Sequence, residues 1–178
     1  ELFTLGAGNG YTEDDIKEGA RALTGMSYRD DSFAFNQRNH DSSGKTIFGR
    51  PGQFDGADFV ELIFRRPSAS WFISSKLHRF FVDDSMEISS STKSAVNQMA
   101  STLKRNNWNV RPMLRELFRS QHFYDDTNRR TIIKSPVQLA VQAVRSLGTP
   151  IRSITRTNQA CALMGQELFY PPSVKGWE

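Results

Sequence analysis

The stretch from Ser68 to Val82 carries Phe72, Ile73, Leu77, Phe80 and Phe81, and it constrains the fold more than any other part of the chain. At helical spacing these side chains form a wide apolar face, which suits a helix at the centre of a bundle. Pro67 stands just before it, where a proline breaks a preceding helix or opens the next one.

Helical signals recur on both sides. Thr12-Glu13-Asp14-Asp15 reads as a helix start, with Thr12 as cap, Asp15 reaching back in a box and acids at the positive helix end. Ile16, Ala20 and Leu23 then form a stripe that Gly25 stops. Asp55 precedes a helix with Phe59, Leu62 and Ile63 on one face. Ser91 or Thr92 opens another, with Ala95, Met99 and Leu103 inward. Asn109 precedes a helix with Pro112 in its first turn and Leu114, Leu117 and Phe118 facing in. Ser135-Pro136 starts the next, which Gly148 closes, and a last helix is expected over about 157–168, before Pro171-Pro172. The fold class expected is mainly α, a compact bundle of six or seven helices in one domain over 1–178. Ser32–Asn36 and Lys45–Phe48 read as two short strands pairing in one small β-hairpin near residues 32–49.

That hairpin region contains "NHDSSGKTIFGRPGQFDG", in which Gly44-Lys45-Thr46 invites comparison with a phosphate-binding loop. Such a loop needs a glycine five residues before Gly44, but Asn39 stands there. Asp41 would oppose phosphate in the cradle, and a strand rather than a helix follows Lys45-Thr46. The nucleotide reading fails. A hard-cation or transition-metal site could draw on His40, Asp41, Asp55 and Asp58, yet their spacing matches neither an EF-hand loop nor a zinc motif. The simpler reading has Asp41 in a turn and Asp55 as a cap.

Other chemical candidates are weaker. His78 and His122 have no serine, cysteine or carboxylate at a telling local spacing, so both read as structural. Cys161 sits among Ala160, Ala162 and Leu163 and reads as a small buried hydrophobe. Arg111, Arg115 and Arg119, at i, i+4 and i+8, share a helix face that could bind an anionic polymer. A solvated face with Arg115 or Arg119 paired to Glu116 or another acid is the plainer account.

Composition excludes some classes. With 178 residues, 38% hydrophobic and 24% charged, the chain is globular rather than disordered. Its net charge of +4 is modest and spread along the chain, so nucleic acid is not an expected partner. No run of 18 apolar residues exists to span a membrane. The single Cys161 cannot form an internal bridge. The chain starts mid-pattern at Glu1-Leu2-Phe3 and stops at Trp177-Glu178, as expected of a piece of a longer protein.

Several blocks resemble one family in the same order and over nearly the whole chain. "ELFTLGAGNGYTEDDIKEGARALTG", "HDSSGKTIFG", "GQFDG", "FISSKLHRFFV", "IKSPVQLAVQAVRSLG" and "GQELFYPPSVKGWE" resemble the C-terminal half of the large bacterial family designated domain of unknown function 1800. Gly10 is an extra residue in the usual Gly-Asn-Tyr turn, and Glu178 replaces a common proline. The resemblance singles out His40, Asp41, Lys45, Gly49, Asp55, Gly56, Lys76, Lys134, Lys175 and Trp177 without assigning them chemistry. Many members are exported, and no reaction carries over.

The expectation is thus a non-catalytic helical domain of an exported bacterial protein, acting in cell-envelope or extracellular assembly and recognition, without a cofactor. Its partners would include the flanking parts of its own parent chain. Two alternatives follow from the residues. One is a metal-assisted hydrolase using His40, Asp41 and Asp55. The other is anionic-polymer binding through Arg111, Arg115 and Arg119, with Lys45 as a further binding candidate.

Overall fold

Local capping chemistry sets the helix starts in the computed structural model, which describes residues 3–85, 88–148 and 150–177. Thr12 caps α1 (Glu13–Ala22) in a full capping box with Asp15, and Asp55 does the same for α2 (Gly56–Phe64) with Asp58. Pro67 opens α3 (Pro67–Phe81), Ser89 caps α4 (Ser90–Arg105) and Asn109 caps α5 (Val110–Arg119). Ser135 boxes with Gln138 at the start of α6 (Pro136–Leu147), which ends on Gly148 in the left-handed region. Ser153 caps α7 (Ile154–Leu163). These seven helices, with two small sheets, make the described residues mainly α.

The β element differs from the expected single hairpin. β1 (Met26–Arg29) pairs antiparallel with β2 (Ser32–Phe35), and β3 (Lys45–Ile47) pairs with β4 (Arg50–Gly52). Ser32–Asn36 and Lys45–Phe48 therefore do not pair with each other. Each finds a nearer partner across a two-residue turn, Asp30-Asp31 in one and Phe48-Gly49 in the other. All four residues have φ between 50° and 73°. That double left-handed turn matches the twist of a hairpin.

Two cores form. Ala22, Ile47 and Leu62 join α1, β3 and α2, with Phe48, Phe54 and Phe59 packed around them. Val82, Met99, Leu103, Met113 and Leu117 join α3, α4 and α5, flanked by Ile73, Leu77, Phe81, Trp108, Leu114, Phe118 and Phe123. Phe81, Phe118 and Phe123 meet edge to face at 5.2 Å between successive centroids, the favoured aromatic geometry.

Helix faces depart from expectation in detail. The most buried stripe of α3 is Ala69, Ser70, Ser74 and His78 rather than its aromatics, and Phe80 is exposed. Small side chains at i and i+4 let α3 approach α4 closely, and the large rings lie on the flanks. Ser74 Oγ lies 3.6 Å from the wholly buried Met113 Sδ. On α4 the buried position is Val96 rather than Ala95, and the helix starts one residue earlier than Ser91. The last helix ends at Leu163, not near Leu168, because the Gly165 and Gln166 amides turn back onto the Ala162 and Cys161 carbonyls. Glu1, Leu2 and Glu178, the ends of the first and last resemblance blocks, lie outside the described residues.

Candidate functional site

The residues of 39–58 that looked chemical are engaged in holding the first core together. Arg21, in the last turn of α1, donates from Nε to Asp41 Oδ2 at 2.8 Å and from Nη1 to both Glu18 oxygens at 2.7 Å. Asp41 also accepts the Ser43 backbone N–H at 3.0 Å and the Ser43 hydroxyl. The Arg21 guanidinium, and then these Ser43 donors, hold the Asp41 carboxyl well below the usual carboxylate range. Glu18 is lowered by Arg21 as well, and it accepts the Thr46 N–H of β3 at 3.1 Å.

His40 and Asp41 are fixed from the other side by Thr24. The Asp41 N–H donates to Thr24 Oγ1 at 2.8 Å, and His40 Nδ1 lies 2.9 Å from the Thr24 carbonyl, which makes Nδ1 the protonated nitrogen. Lys45 turns inward rather than toward a ligand. It is 3% exposed, and its ammonium donates to the carbonyls of Asp41 and Ser43. Asp55 accepts the Ala57 and Asp58 N–H groups at 2.8 and 2.9 Å. Its carboxyl is lowered by the backbone bond with Asp58 first, with a minor contribution from the nearby His40. At Gly56 a Cβ would stand 2.1 Å from Met26 Cε, so the flexible Met26 side chain would have to move aside.

His40, Asp41, Asp55 and Asp58 therefore each have their own structural partner. Among the described residues no group of three or more His, Cys, Asp or Glu side chains is placed to hold a metal ion. The metal-assisted reading is left without a ligand set. Of the other positions singled out by the resemblance, Gly49 occupies the β3–β4 turn and Lys76 lies 5.5 Å over the Phe72 ring. Lys134 and Lys175 are exposed.

The arginine face is organised differently from its plainer account. Arg111, Arg115 and Arg119 are exposed on α5 and line a groove with Gln98 and Asn109. Glu116 does not pair with them. It accepts from Thr102 Oγ1 and Gln98 Nε2 at 2.5 Å each, and these bonds, the Thr102 one first, lower its pKa. None of the three arginines has an acidic partner within ion-pair distance among the described residues.

One arrangement escaped the sequence reading. His78 and His122, separated by 44 positions, point their Nε2 atoms at each other at 2.8 Å, and His122 Nδ1 lies 3.2 Å from Ser91 Oγ. The only local signal was the i, i+4, i+8 spacing of Ser70, Ser74 and His78, a polar stripe where an apolar one was expected. The partner, His122, sits in a short turn after α5, and no spacing rule connects it to α3.

The surface changes character after α5. Among the described residues beyond Leu117, Cys161 alone is buried. α6 and α7 pack on each other but leave Leu139, Val141, Leu147, Ile154 and Leu163 exposed, followed by Phe169, Tyr170 and Val174. No helix among the described residues is long and apolar enough to cross a membrane.

Against family models, residues 1–178 match one described as a protein of unknown function, DUF1800. No curated protein and no solved structure matches the chain.

Proposed function

The chain belongs to the DUF1800 family, and from that premise we propose that it is an assembly and recognition domain of an exported bacterial protein. The carrying observation is the apolar surface of α6, α7 and the segment after them, where Leu163 and Phe169 are 91% and 90% exposed. Large apolar side chains left exposed in such number over consecutive segments point to a protein–protein contact. The flanking regions of its own parent protein are the first partner to test, since the family resemblance extends to longer members. Export rests on that resemblance too.

Hydrogen exchange tests the reading. Amides of 136–174 should exchange faster in the isolated chain than in the full-length parent, while α3–α5 amides change little. Equal protection in both would remove the assembly role. Fractionation of the native host, tracking the parent protein, tests export separately.

A second reading is favoured by Arg111, Arg115 and Arg119, which make no ion pair among the described residues, although Glu116 lines the same groove. We infer that this groove takes an anionic polymer. Binding to heparin or polyphosphate should weaken steeply as salt rises and vanish in the triple alanine variant. Salt-independent binding, or none, would remove it.

A further inference from the structure

Two ring nitrogens 2.8 Å apart share one proton, so the His78–His122 pair is ordered head to tail. When His122 donates its Nε2 proton to His78 Nε2, its Nδ1 is left as a bare acceptor 3.2 Å from the Ser91 hydroxyl. His78 is 1% exposed, so its ring is held by packing. Ser91 is exposed, in the first turn of α4, and His122 is half-buried. Both line a cavity of about 280 Å³ together with Ser94, Gln98, Met99 and Leu117. A hydroxyl, a base that accepts its proton and a buried group that orients the base are the parts of an activated nucleophile.

We propose that Ser91, His122 and His78 form a nucleophilic relay acting on short carboxylic esters bound in this cavity. The inference goes beyond the assembly role and rests on neither the apolar surface nor the arginines.

Ser91 Oγ attacks the acyl carbon as its proton passes to His122 Nδ1. The ester C–O bond breaks, His122 returns that proton to the leaving alcohol, and an acyl-serine remains. Water then attacks the acyl carbon, gives a proton to His122, and releases the acid as Ser91 Oγ recovers that proton. One ester and one water become one alcohol and one acid. His78 is the positioning residue. Burial, and then the neighbouring His122, lower its pKa against the opposing charge of Asp83, which favours the neutral ring that accepts from the His122 imidazolium. Glu116, also on the cavity wall, is already bound by Gln98 and Thr102.

The test is covalent labelling of the purified chain with a fluorophosphonate probe, with the adduct mapped by mass spectrometry and folding checked by circular dichroism. Ser91 should carry the adduct. Ser91→Ala should abolish it, and His122→Gln should slow it by about 100-fold or more. In His78→Gln the midpoint of the labelling pH profile should move, whereas a purely structural role would lower the rate without moving it. p-Nitrophenyl butyrate should be hydrolysed faster than in buffer, and Ser91→Ala should lose that excess. Folded protein that takes no adduct at Ser91 overturns the proposal, as does undiminished labelling in His122→Gln. Those two variants decide the matter if His78→Gln does not fold.

Discussion

Arg21 Nε donates to Asp41 Oδ2 at 2.8 Å, tying the end of α1 to a loop 20 positions further along. The same guanidinium holds Glu18, which in turn accepts the Thr46 N–H of β3. This cation thus links helix, loop and hairpin, beside the Thr24 and Lys45 contacts. Arg21→Leu and Asp41→Asn should each lower the thermal midpoint. The double variant should lose less than the sum of the two, because both remove the same contact. Strict additivity would show that the pair is not coupled.

Lys45 is the buried counterpart of that surface clamp. Replacing it with Met keeps the stem and removes the ammonium that satisfies the Asp41 and Ser43 carbonyls. Unfolding in urea should show a loss of about 2 kcal/mol, the range for hydrogen bonds to charged groups. A change within experimental error would mean that those carbonyls find other partners.

Gly49 isolates a backbone effect. Its φ is 73°, and a Cβ built there meets nothing within 4 Å. Gly49→Ala should therefore cost about 1–2 kcal/mol through conformation alone. Phe48 tolerates the same left-handed region at 52° because its N–H donates to Asp15 Oδ1 at 2.6 Å and its ring packs beneath Arg66. Burial raises the Asp15 carboxyl, but the Thr12 and Phe48 N–H groups outweigh it and the net shift is downward. Asp15→Asn should destabilise the turn and the start of α1 together, visible as faster amide exchange in both.

Stability should fall on acidification in two stages. His78 is held below its ordinary value, by burial first, with His122 adding to the shift and Asp83 opposing it. A base with a depressed folded pKa contributes stability above its unfolded value, near 6.5, and loses it as pH falls through the folded one. The lowered carboxyls of Asp41, Asp55 and Glu116 lose theirs at lower pH, beginning near 4. Thermal midpoints measured from pH 8 to 3 should decline in both windows, and His78→Gln should flatten the upper one.

Met113 tests the second core, where it is wholly buried between α3, α4 and α5. Met113→Ala should cost about 2–5 kcal/mol by urea unfolding, with retained secondary structure by circular dichroism. A smaller loss would mean that the three helices close onto the space.

The amino-acid sequence by itself determined the helices and most of their starts, those of α4 and α7 excepted, because capping is a contact between a side chain and a backbone amide two or three positions away. Thr12, Asp55, Asn109 and Ser135 carry that information whatever the rest of the chain does. It also marked the 39–58 stretch as special, and it removed the nucleotide reading by counting positions. The tertiary structure alone decided what the marked residues do. Whether Lys45 faces solvent, which acid Arg21 takes and which strand pairs with which depend on packing between segments that no local spacing relates. The His78–His122 contact is the plainest case, since it exists only because α3 buries a polar stripe against α4 and α5, bringing the turn after α5 over His78.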